Sequence, residues 1–542
     1  MIQRSAKSPK TRSLATKSGR EPGSTLRWAM IAAPVSFVVL FFAWPLAAII
    51  VRGVTGSAWR RMDVEGRFVR IIWFTTWQAA VSALATVVLG LAPAYVLARR
   101  RFPGRRALLT AVTVPFVLPT VVSAAAFVTL LPTSWNRTTG ALILAHVWVN
   151  LALVVRGVGS AWAQLDPDLG EAAATLGAEP SQVLRHITLP LLRPAIISAG
   201  ALTFLFCFTS FGLARLIGGP AHPTIEVEIW RQATQNFDLP KATLLTVIQL
   251  VLVALILFRW TRVRPVPVRY RQIPLPRPGR WDKAVVAATA VVGLAPLVAL
   301  VIRSVHPGDK WSLKAWRALT RVPKASTAAK LVDRPIVTLS ASLRTAVLAG
   351  GLAVALGTMA ALAIVRWGTG GRWADTGLTL PLGASAVSVG LGLLITFDHG
   401  WYDLRSSWIL VPLGQAVVAL PVVLRIVLPA LRAIPPDLRH AAGVLGASPL
   451  RVAAMIDLGL TRRAVGAAAG FAVAISLGEF GATSLLTRTD APTAPIAIGR
   501  LLGRPAPFNL SLASALAVAL GGLVVVIIAV VDRWREAQGS AF

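Results

Sequence analysis

Long apolar segments alternate with short polar ones along the whole chain. A helix needs about 20 mostly apolar residues to cross the hydrocarbon core of a bilayer. A spanning backbone must also satisfy its own hydrogen bonds there, which favours helices. The pattern therefore predicts an all-α, polytopic membrane protein with about twelve transmembrane helices. The predicted spans are residues 28–51, 71–98, 107–131, 141–155 (expected to continue towards Trp162), 195–214, 243–258, 284–302, 345–365, 377–397, 408–428, 464–485 and 512–531.

The composition agrees with a membrane protein. Hydrophobic residues make up 55% of the 542 residues and charged residues 14%, and the mean hydropathy is +0.67. A soluble protein usually carries about 25% charged residues, because water must wet its surface. The formal net charge of +33 would indicate nucleic-acid binding in a soluble protein. In a membrane protein, basic loop residues set the topology instead, so we expect the lipid bilayer as a partner and no nucleic acid.

The distribution of lysine and arginine favours a cytoplasmic N-terminus. With this orientation the predicted inside segments carry 33 Lys and Arg and the outside loops carry 22. Segments 99–106 and 259–283 are the strongest inside signals. The loop 303–344 is the exception, because its nine basic residues fall outside. We therefore predict a multi-pass protein of the cell (inner or plasma) membrane.

The two halves of the chain resemble each other. Residues 76–106 parallel residues 343–373 at an offset of 267, and residues 165–178 parallel 434–447 at an offset of 269. Six predicted spans in each half make the two repeats parallel, with a pseudo-two-fold axis along the membrane normal. The predicted units are a basic cytoplasmic tail (1–27), a first repeat (28–260, core 71–260), a cytoplasmic linker (261–283), a second repeat (284–533, core 341–533) and a C-terminal tail (534–542).

Residues 168–194 form a polar loop between two predicted spans. Glu171 and the alanines after it favour a short helix. Gly177 is expected to end that helix in a left-handed conformation, and a second helix is expected to begin near Ser181. Small apolar side chains exposed in such a loop predict a surface on which another protein docks.

The loop resembles the EAA loop in the permease subunits of ABC importers. The resemblance implies the fold of a type I ABC importer permease, whose coupling helices fit a groove on a separate ATP-hydrolysing subunit. It also implies two ATPase copies and an extracytoplasmic substrate-binding protein as partners. An amphipathic helix on the membrane surface is the alternative, but it does not explain the second copy of the motif. The matching residues are Glu171, Ala172, Ala173, Gly177, Pro190 and Pro194 in the first repeat and His440, Ala441, Ala442 and Gly446 in the second.

The second copy departs from the family pattern at three positions. The two ATPase contacts are therefore expected to be unequal, with the first repeat closer to the family norm. The departures are His440 for Glu171, Gly459 for Pro190 and Arg463 for Pro194.

Two fused permease domains are similar to the permeases of thiamine and iron(III) importers. Residues 206–249 most resemble the thiamine branch, whereas residues 476–504 are of a kind also seen in iron-type permeases. The resemblance therefore favours thiamine as the substrate and leaves iron(III) as the alternative.

One acidic residue, Glu479, falls inside a predicted span, and Ser210 is its counterpart in the first repeat. A charge within the bilayer is costly and usually faces a cavity or a partner. We predict that Ser210 and Glu479 line the central pathway, where Glu479 would suit a cationic substrate. The alternative for Glu479 is a structural partner for an arginine or a backbone group. Glu226, Glu228 and Asp238 are expected on the solvated face of an outer loop.

The sequence lacks the common catalytic motifs. No GxxxxGK[ST] loop, nucleophile elbow or HExxH pattern occurs, so ATP hydrolysis is expected on another polypeptide. The single cysteine, Cys207, excludes an intramolecular disulfide and a cysteine zinc cluster. We predict no catalytic residue, metal or cofactor. An ion-gradient-driven secondary transporter is the main rival, which the paired loops argue against, and a membrane-embedded enzyme is a second.

Overall fold

The computed structural model describes residues 24–55, 66–166, 168–219, 221–260, 276–308, 310–324, 326–366, 370–398, 403–404, 407–487, 492–504 and 506–537. Most of the predicted tail 1–27 and of the predicted linker 261–283 lies outside this part of the chain. Ser24 already begins a helix, and so does Arg280.

The described residues of the first repeat form ten helices. Helix α1 runs over Ser24–Val38 and continues through a π-helical turn, Val39–Ala43, into Trp44–Thr55. Helix α7 likewise runs over Pro180–Val183, the π-helical turn Leu184–Thr188 and Leu189–Phe208. The others are α2 Arg67–Arg99, α3 Arg105–Val117, α4 Thr120–Leu130, α5 Thr139–Ala163, α6 Asp168–Thr175, α8 Gly212–Ile217, α9 Ile225–Thr234 and α10 Leu239–Trp260.

The second repeat has a counterpart for each of these helices. Helix α17 runs over Pro449–Val452, the π-helical turn Ala453–Leu458 and Gly459–Gly478, which places a π-helical turn where α7 has one. The others are α11 Arg280–Val305, α12 Pro335–Arg366, α13 Gly370–Thr379 (followed by the 3-10 turn Leu380–Gly383), α14 Ala386–Thr396, α15 Leu410–Arg432, α16 Pro436–Val444, α18 Thr483–Leu486, α19 Ala494–Gly503 and α20 Pro507–Ala537.

Ten helices of the described residues are long and apolar enough to cross a membrane, and twelve spans result if each of two bent pairs counts as one. The all-α class and the number of spans are thus confirmed. The spans predicted at 107–131 and 377–397 are each broken in two, because the chain bends by 108° between α3 and α4 and by 97° before α14. At the first bend Leu118 is extended before Pro119, as the ring of a following proline favours.

Two further predicted spans extend too far. Helix α7 ends at Phe208 rather than at residue 214, and α17 ends at Gly478 rather than at residue 485. The apolar run continues beyond each helix end, so hydropathy alone does not reveal the break. The short span predicted at 141–155 does continue, as expected, to Ala163.

A glycine lets the first and central helices of each repeat core approach closely. A Cβ added at Gly90 in α2 would lie 2.7 Å from Cγ1 of Val154 in α5. A Cβ at Gly357 in α12 would lie 2.7 Å from Cγ1 of Val423 in α15. These two pairs are matched by the same offsets as the sequence repeat, so the duplicated sequence builds duplicated packing.

The first helix of each repeat packs against the other repeat. Helix α1 packs on α12 and α14, and α11 packs on α3 and α4. The ring of Phe41 in α1 stacks on Phe397 at the end of α14 with centroids 5.5 Å apart. Trp148 Nε1 in α5 donates a hydrogen bond to the Gly293 carbonyl oxygen in α11 at 3.3 Å. These contacts hold the two repeats together at sites outside the contact at their centre.

The two EAA-like loops lie at one end of the bundle. Arg99 at the end of α2 donates a hydrogen bond to the carbonyl oxygen of Leu165, just before α6, at 2.8 Å. Arg366 at the end of α12 contacts Asp457 at the start of α17 at 2.6 Å. Since α11 crosses the bundle once and α12 returns, both loops are on the same side, which we call the coupling side.

The basic segment 306–334 lies at the opposite end. Helix α11 begins on the coupling side, where Asp282 pairs with Arg100 at 2.7 Å, so its far end carries this segment. Trp316 Nε1 donates a hydrogen bond to Ser304 Oγ at 3.2 Å and anchors the segment on α11. Its described lysines and arginines are exposed, whereas five small apolar side chains are buried: Ala315, Ala318, Val322, Ala328 and Val332.

Candidate coupling loops and inter-repeat contact

The first loop forms two helices separated by a tight glycine turn. Gly177 follows the end of helix α6 and has a φ of 85°. This value lies in the left-handed region that glycine adopts without steric cost. The Ala178 amide bonds the Ala173 carbonyl oxygen at 3.0 Å, and the Gly177 amide bonds that of Ala174 at 3.0 Å. These two bonds form a Schellman motif, as the sequence predicted for Gly177.

The second helix of this loop begins at Pro180, next to the predicted Ser181. Its N-cap is Glu179 rather than Ser181, and the Gln182 side chain accepts a hydrogen bond from the Glu179 amide at 2.9 Å. Pro180 occupies the first helical position, where its missing N–H costs no hydrogen bond.

The second loop repeats this geometry with different residues. Gly446 has a φ of 81°, and the Ala447 amide bonds the Ala442 carbonyl oxygen at 2.9 Å. The next helix begins at Pro449 after Ser448, whose hydroxyl accepts from the Arg451 amide at 3.4 Å. The backbone of the motif is therefore kept although His440 replaces Glu171.

Both loops expose large apolar side chains at equivalent positions. Leu176 is 89% exposed, and Leu445, its counterpart, is 87% exposed. Glu171 in α6 and His440 in α16 are also exposed, at equivalent positions. At one end of the bundle, side chains this exposed form an apolar surface of the kind typical of protein interaction sites.

The prolines of the motif stand where the first loop enters the membrane bundle. Pro190 lies in the first turn of Leu189–Phe208, and Pro194 lies inside the same stretch of α7. The corresponding residues of the second repeat are Gly459 and Arg463, so this part of α17 begins without a proline. The two loops therefore connect to their spans differently.

The repeats meet at two equivalent phenylalanines. Phe211 follows the break after α7, Phe480 follows the break after α17, and their ring centroids are 5.3 Å apart. A residue that meets its own counterpart lies at the axis relating the two units. The glycine after each ring allows close packing, because a Cβ at Gly481 would lie 3.0 Å from Cβ of Ala386 and one at Gly212 would overlap Thr120.

An arginine joins this contact from the first repeat. The guanidinium carbon of Arg215 lies 3.6 Å from the ring centroid of Trp230 and 5.2 Å from that of Phe480. Cation–π attraction of this kind is stronger where water is excluded. The second repeat has Ser484 and Gly499 at the positions of Arg215 and Trp230, so the central contact is not symmetric.

Each predicted pathway residue directly precedes one of the two central rings. Ser210 is half-buried before Phe211, and Glu479 is 7% exposed before Phe480. The Glu479 carboxylate accepts hydrogen bonds from the amides of Ala482 and Thr483, both at 2.8 Å, and from the Thr483 hydroxyl. It therefore caps the start of α18, which is the backbone-partner alternative that the sequence left open.

Two further buried carboxylates, Glu226 and Glu228, were missed by the sequence analysis. The predicted solvated face of Glu226 and Glu228 is wrong, because α9 buries both side chains. Glu226 accepts a hydrogen bond from Gln249 Nε2 of α10, and Glu228 pairs with Arg231. The sequence signal for this burial was the alternation of the two glutamates with Ile225, Val227 and Ile229. Such alternation places the glutamates on more than one face of a short helix, so one exposed face cannot hold both.

Comparison with known proteins identifies the chain. The sequence profile described as "Binding-protein-dependent transport system inner membrane component" matches residues 86–263. The sulfate transport system permease protein CysT of Salmonella typhimurium is 32% identical over 257 residues, which cover 44% of this chain and 91% of that protein. The chain belongs to this family. It is a multi-pass ABC importer permease of the inner membrane.

Relatives of similar length align with nearly the whole permease. The thiamine transport system permease protein ThiP of Brucella abortus (strain 2308) is 28% identical over 511 residues, 89% of this chain and 91% of that protein. ThiP of Escherichia coli (strain K12) is 26% identical over 80% of this chain and 83% of that protein. A solved bacterial ABC transporter involved in alginate import covers 44% of this chain and 96% of its own at 18% identity, with a TM-score of 0.39.

Proposed function

We propose that this permease imports a small organic cation, with thiamine as the favoured substrate. The observation that carries the proposal is the alignment over 511 residues with permeases named for thiamine transport, because it runs through both repeats. The higher identity to the sulfate permease extends over only 44% of the chain. The buried carboxylates of Glu226 and Glu479 favour a cation over an anion such as sulfate.

The two loops on the coupling side are the proposed docking sites for two copies of an ATPase subunit. The exposed Leu176 and Leu445 would be covered by those subunits, and Glu171 and His440 would lie beside them. Closure of the ATPases on ATP would draw the loops together and rock the repeats about their central contact. We place the coupling side in the cytoplasm, together with the N-terminus, because the predicted inside segments carry the larger share of basic residues.

The opposite end would receive substrate from an extracytoplasmic binding protein. Phe211 and Phe480 close the centre of the bundle in this conformation, and separating them would open a path beside Ser210 and Glu479. A cation on that path would meet the Glu479 carboxylate once α18 moves. Glu479→Gln, which keeps the side-chain shape and removes the charge, is expected to raise the KM for thiamine by about tenfold. Asp333→Asn, which neutralises an exposed carboxylate in the segment 306–334, is the control. Equal KM values for Glu479→Gln and the unchanged protein would contradict the pathway role.

The substrate is tested first through the cognate binding protein. Ligand released from that protein after purification and denaturation should be thiamine. Cells that depend on this permease should then accumulate labelled thiamine, and excess unlabelled thiamine should compete where sulfate and iron(III) do not. Competition by iron(III) alone would favour the alternative substrate, and competition by sulfate alone would contradict the cation assignment.

A further inference from the structure

A buried carboxylate joins three parts of the second repeat. Asp457, in the π-helical turn of α17, is 1% exposed. Its Oδ2 accepts a hydrogen bond from Arg366 Nη2 at the end of α12 at 2.6 Å, and its Oδ1 accepts from Arg439 Nε in α16 at 2.7 Å. Charge-assisted bonds of this length are the stronger kind, and a buried ion pair is screened little by salt.

Arg439 also fixes the coupling helix to the span before it. Its Nη2 donates to the Leu431 carbonyl oxygen at 2.9 Å, and its Nη1 lies 3.4 Å from that of Ile434. These carbonyls belong to the last turn of α15 and the residues after it, where a cation is favoured. Arg439, which neighbours His440, thus connects α16 to α15 and α17, and Asp457 extends the connection to Arg366 of α12.

The first repeat lacks this arrangement. The counterparts of Arg439 and Asp457 are Gly170 and Thr188, although Arg99, the counterpart of Arg366, is present. Arg99 instead donates to the carbonyl oxygen of Leu165, the counterpart of Ile434. The first loop has Pro190 and Pro194 where it enters its span, and the second loop has the three charged residues.

We propose that Arg366, Asp457 and Arg439 form a clamp that makes the second coupling loop a rigid lever, while the first loop transmits motion without one. Asp457 is a positioning residue in this proposal, because it acts through Arg439 on the helix that carries His440. The inference rests on the proposed coupling role of the loops. A movement of α16 reaches α12 and α17 through the clamp, whereas Gly170 and Thr188 at the equivalent positions of the first repeat cannot form these bonds.

The rigidity is tested in the unchanged protein. Hydrogen–deuterium exchange on the purified full-length chain, without the ATPase, compares the amides of residues 441–444 with those of 172–175. The second loop is expected to exchange about tenfold more slowly, and Arg439→Gln is expected to remove the difference. The double variant Gly170→Arg with Thr188→Asp introduces the counterparts of Arg439 and Asp457 and should slow amide exchange in the first loop. The arginine can be accommodated, because a Cβ at Gly170 would make only an ordinary 3.6 Å contact with Val183. Equal exchange of the two loops in the unchanged protein would overturn the proposal.

The coupling role is tested in the complete reconstituted complex. Thiamine uptake and ATP hydrolysis are measured together for Asp457→Asn, Asp457→Glu and the repeat-matched control Thr188→Asn. Asp457→Asn is expected to lower the thiamine carried per ATP by about tenfold, Asp457→Glu to recover part of it, and Thr188→Asn to leave it unchanged. An unchanged ratio in Asp457→Asn would overturn the inference alone.

Two other results have distinct meanings. Failure of the unchanged complex to take up thiamine would contradict the proposed function rather than the clamp. If Asp457→Asn does not assemble, the exchange comparison in the unchanged protein decides the question, because it needs no variant.

Discussion

Phe211 and Phe480 occupy the same position in the two repeats, and their rings meet with centroids 5.3 Å apart. The chain breaks its helix just before each of them, at Phe208 and at Gly478. Two parallel repeats related by a pseudo-two-fold axis bring equivalent residues together only at that axis. The pair therefore lies at the axis that relates the two repeats, which is where the proposed opening of the permease would separate them.

The two rings are expected to stabilise the closed arrangement cooperatively. A double-mutant cycle of Phe211→Leu and Phe480→Leu, followed by denaturant unfolding in mixed micelles, should give a coupling energy of about 0.5–1.5 kcal/mol, the usual value for an aromatic pair. Leucine keeps most of the buried apolar area, so the cycle reports the ring contact. Strictly additive effects would mean that the rings do not interact.

Close helix packing in the second repeat depends on Gly357. Gly357→Ala would place a Cβ 2.7 Å from Cγ1 of Val423, and overpacking of this kind costs about 1–3 kcal/mol. Gly351→Ala in the same helix is the control, because a Cβ there meets nothing within 4 Å and alanine favours the helix by about 1 kcal/mol. Thermal unfolding in detergent should show a lower midpoint for the first variant only. Val423→Ala in the Gly357→Ala background should restore much of the loss.

The turn at Gly177 is expected to be essential for coupling and dispensable for membrane insertion. Gly177→Val places a branched side chain at a φ of 85°, which costs about 1–2 kcal/mol, without a clash, because a Cβ there meets nothing within 4 Å. Uptake should be lost while the amount of protein in the membrane is unchanged. Gly443→Val, in α16 with an ordinary helical conformation, is the control. Normal uptake by Gly177→Val would contradict the coupling role.

The orientation of the chain is open to direct labelling. The single native cysteine, Cys207, is buried, so an engineered thiol on the surface is the expected reactive one. An impermeant maleimide applied to intact cells without an outer membrane should label Lys324→Cys in the basic segment 306–334. It should label Leu176→Cys in the first coupling loop only after permeabilisation. The opposite pattern would invert the proposed topology.

Much of the fold follows from the sequence because hydropathy and repetition are local signals. The apolar segments located every long helix in the described residues. The constant offset aligned Gly90 with Gly357, and the structure shows that these two glycines pack in equivalent ways. The bend of 108° at Pro119 was missed, because hydropathy counts apolar residues and is insensitive to chain direction. Leu118 before a proline was the one local sign of it.

The candidate site likewise has features that the sequence predicts and features that it does not. The turn at Gly177 was predicted, since a Schellman motif is specified within a few residues. Contacts that join distant segments were not, because only packing of the whole bundle brings them together. Arg366 meets Asp457 across 91 residues, and the burial of Glu226 depends on Gln249 in the next helix.

The most direct test of the whole account is thiamine uptake by proteoliposomes containing the permease and its ATPase. The binding protein loaded with labelled thiamine is placed outside, and ATP or a non-hydrolysable analogue is placed inside, with no ion gradient. The account predicts accumulation that requires hydrolysable ATP, the ATPase and the binding protein together. Accumulation driven by an ion gradient in the absence of the ATPase would contradict it and favour a secondary transporter.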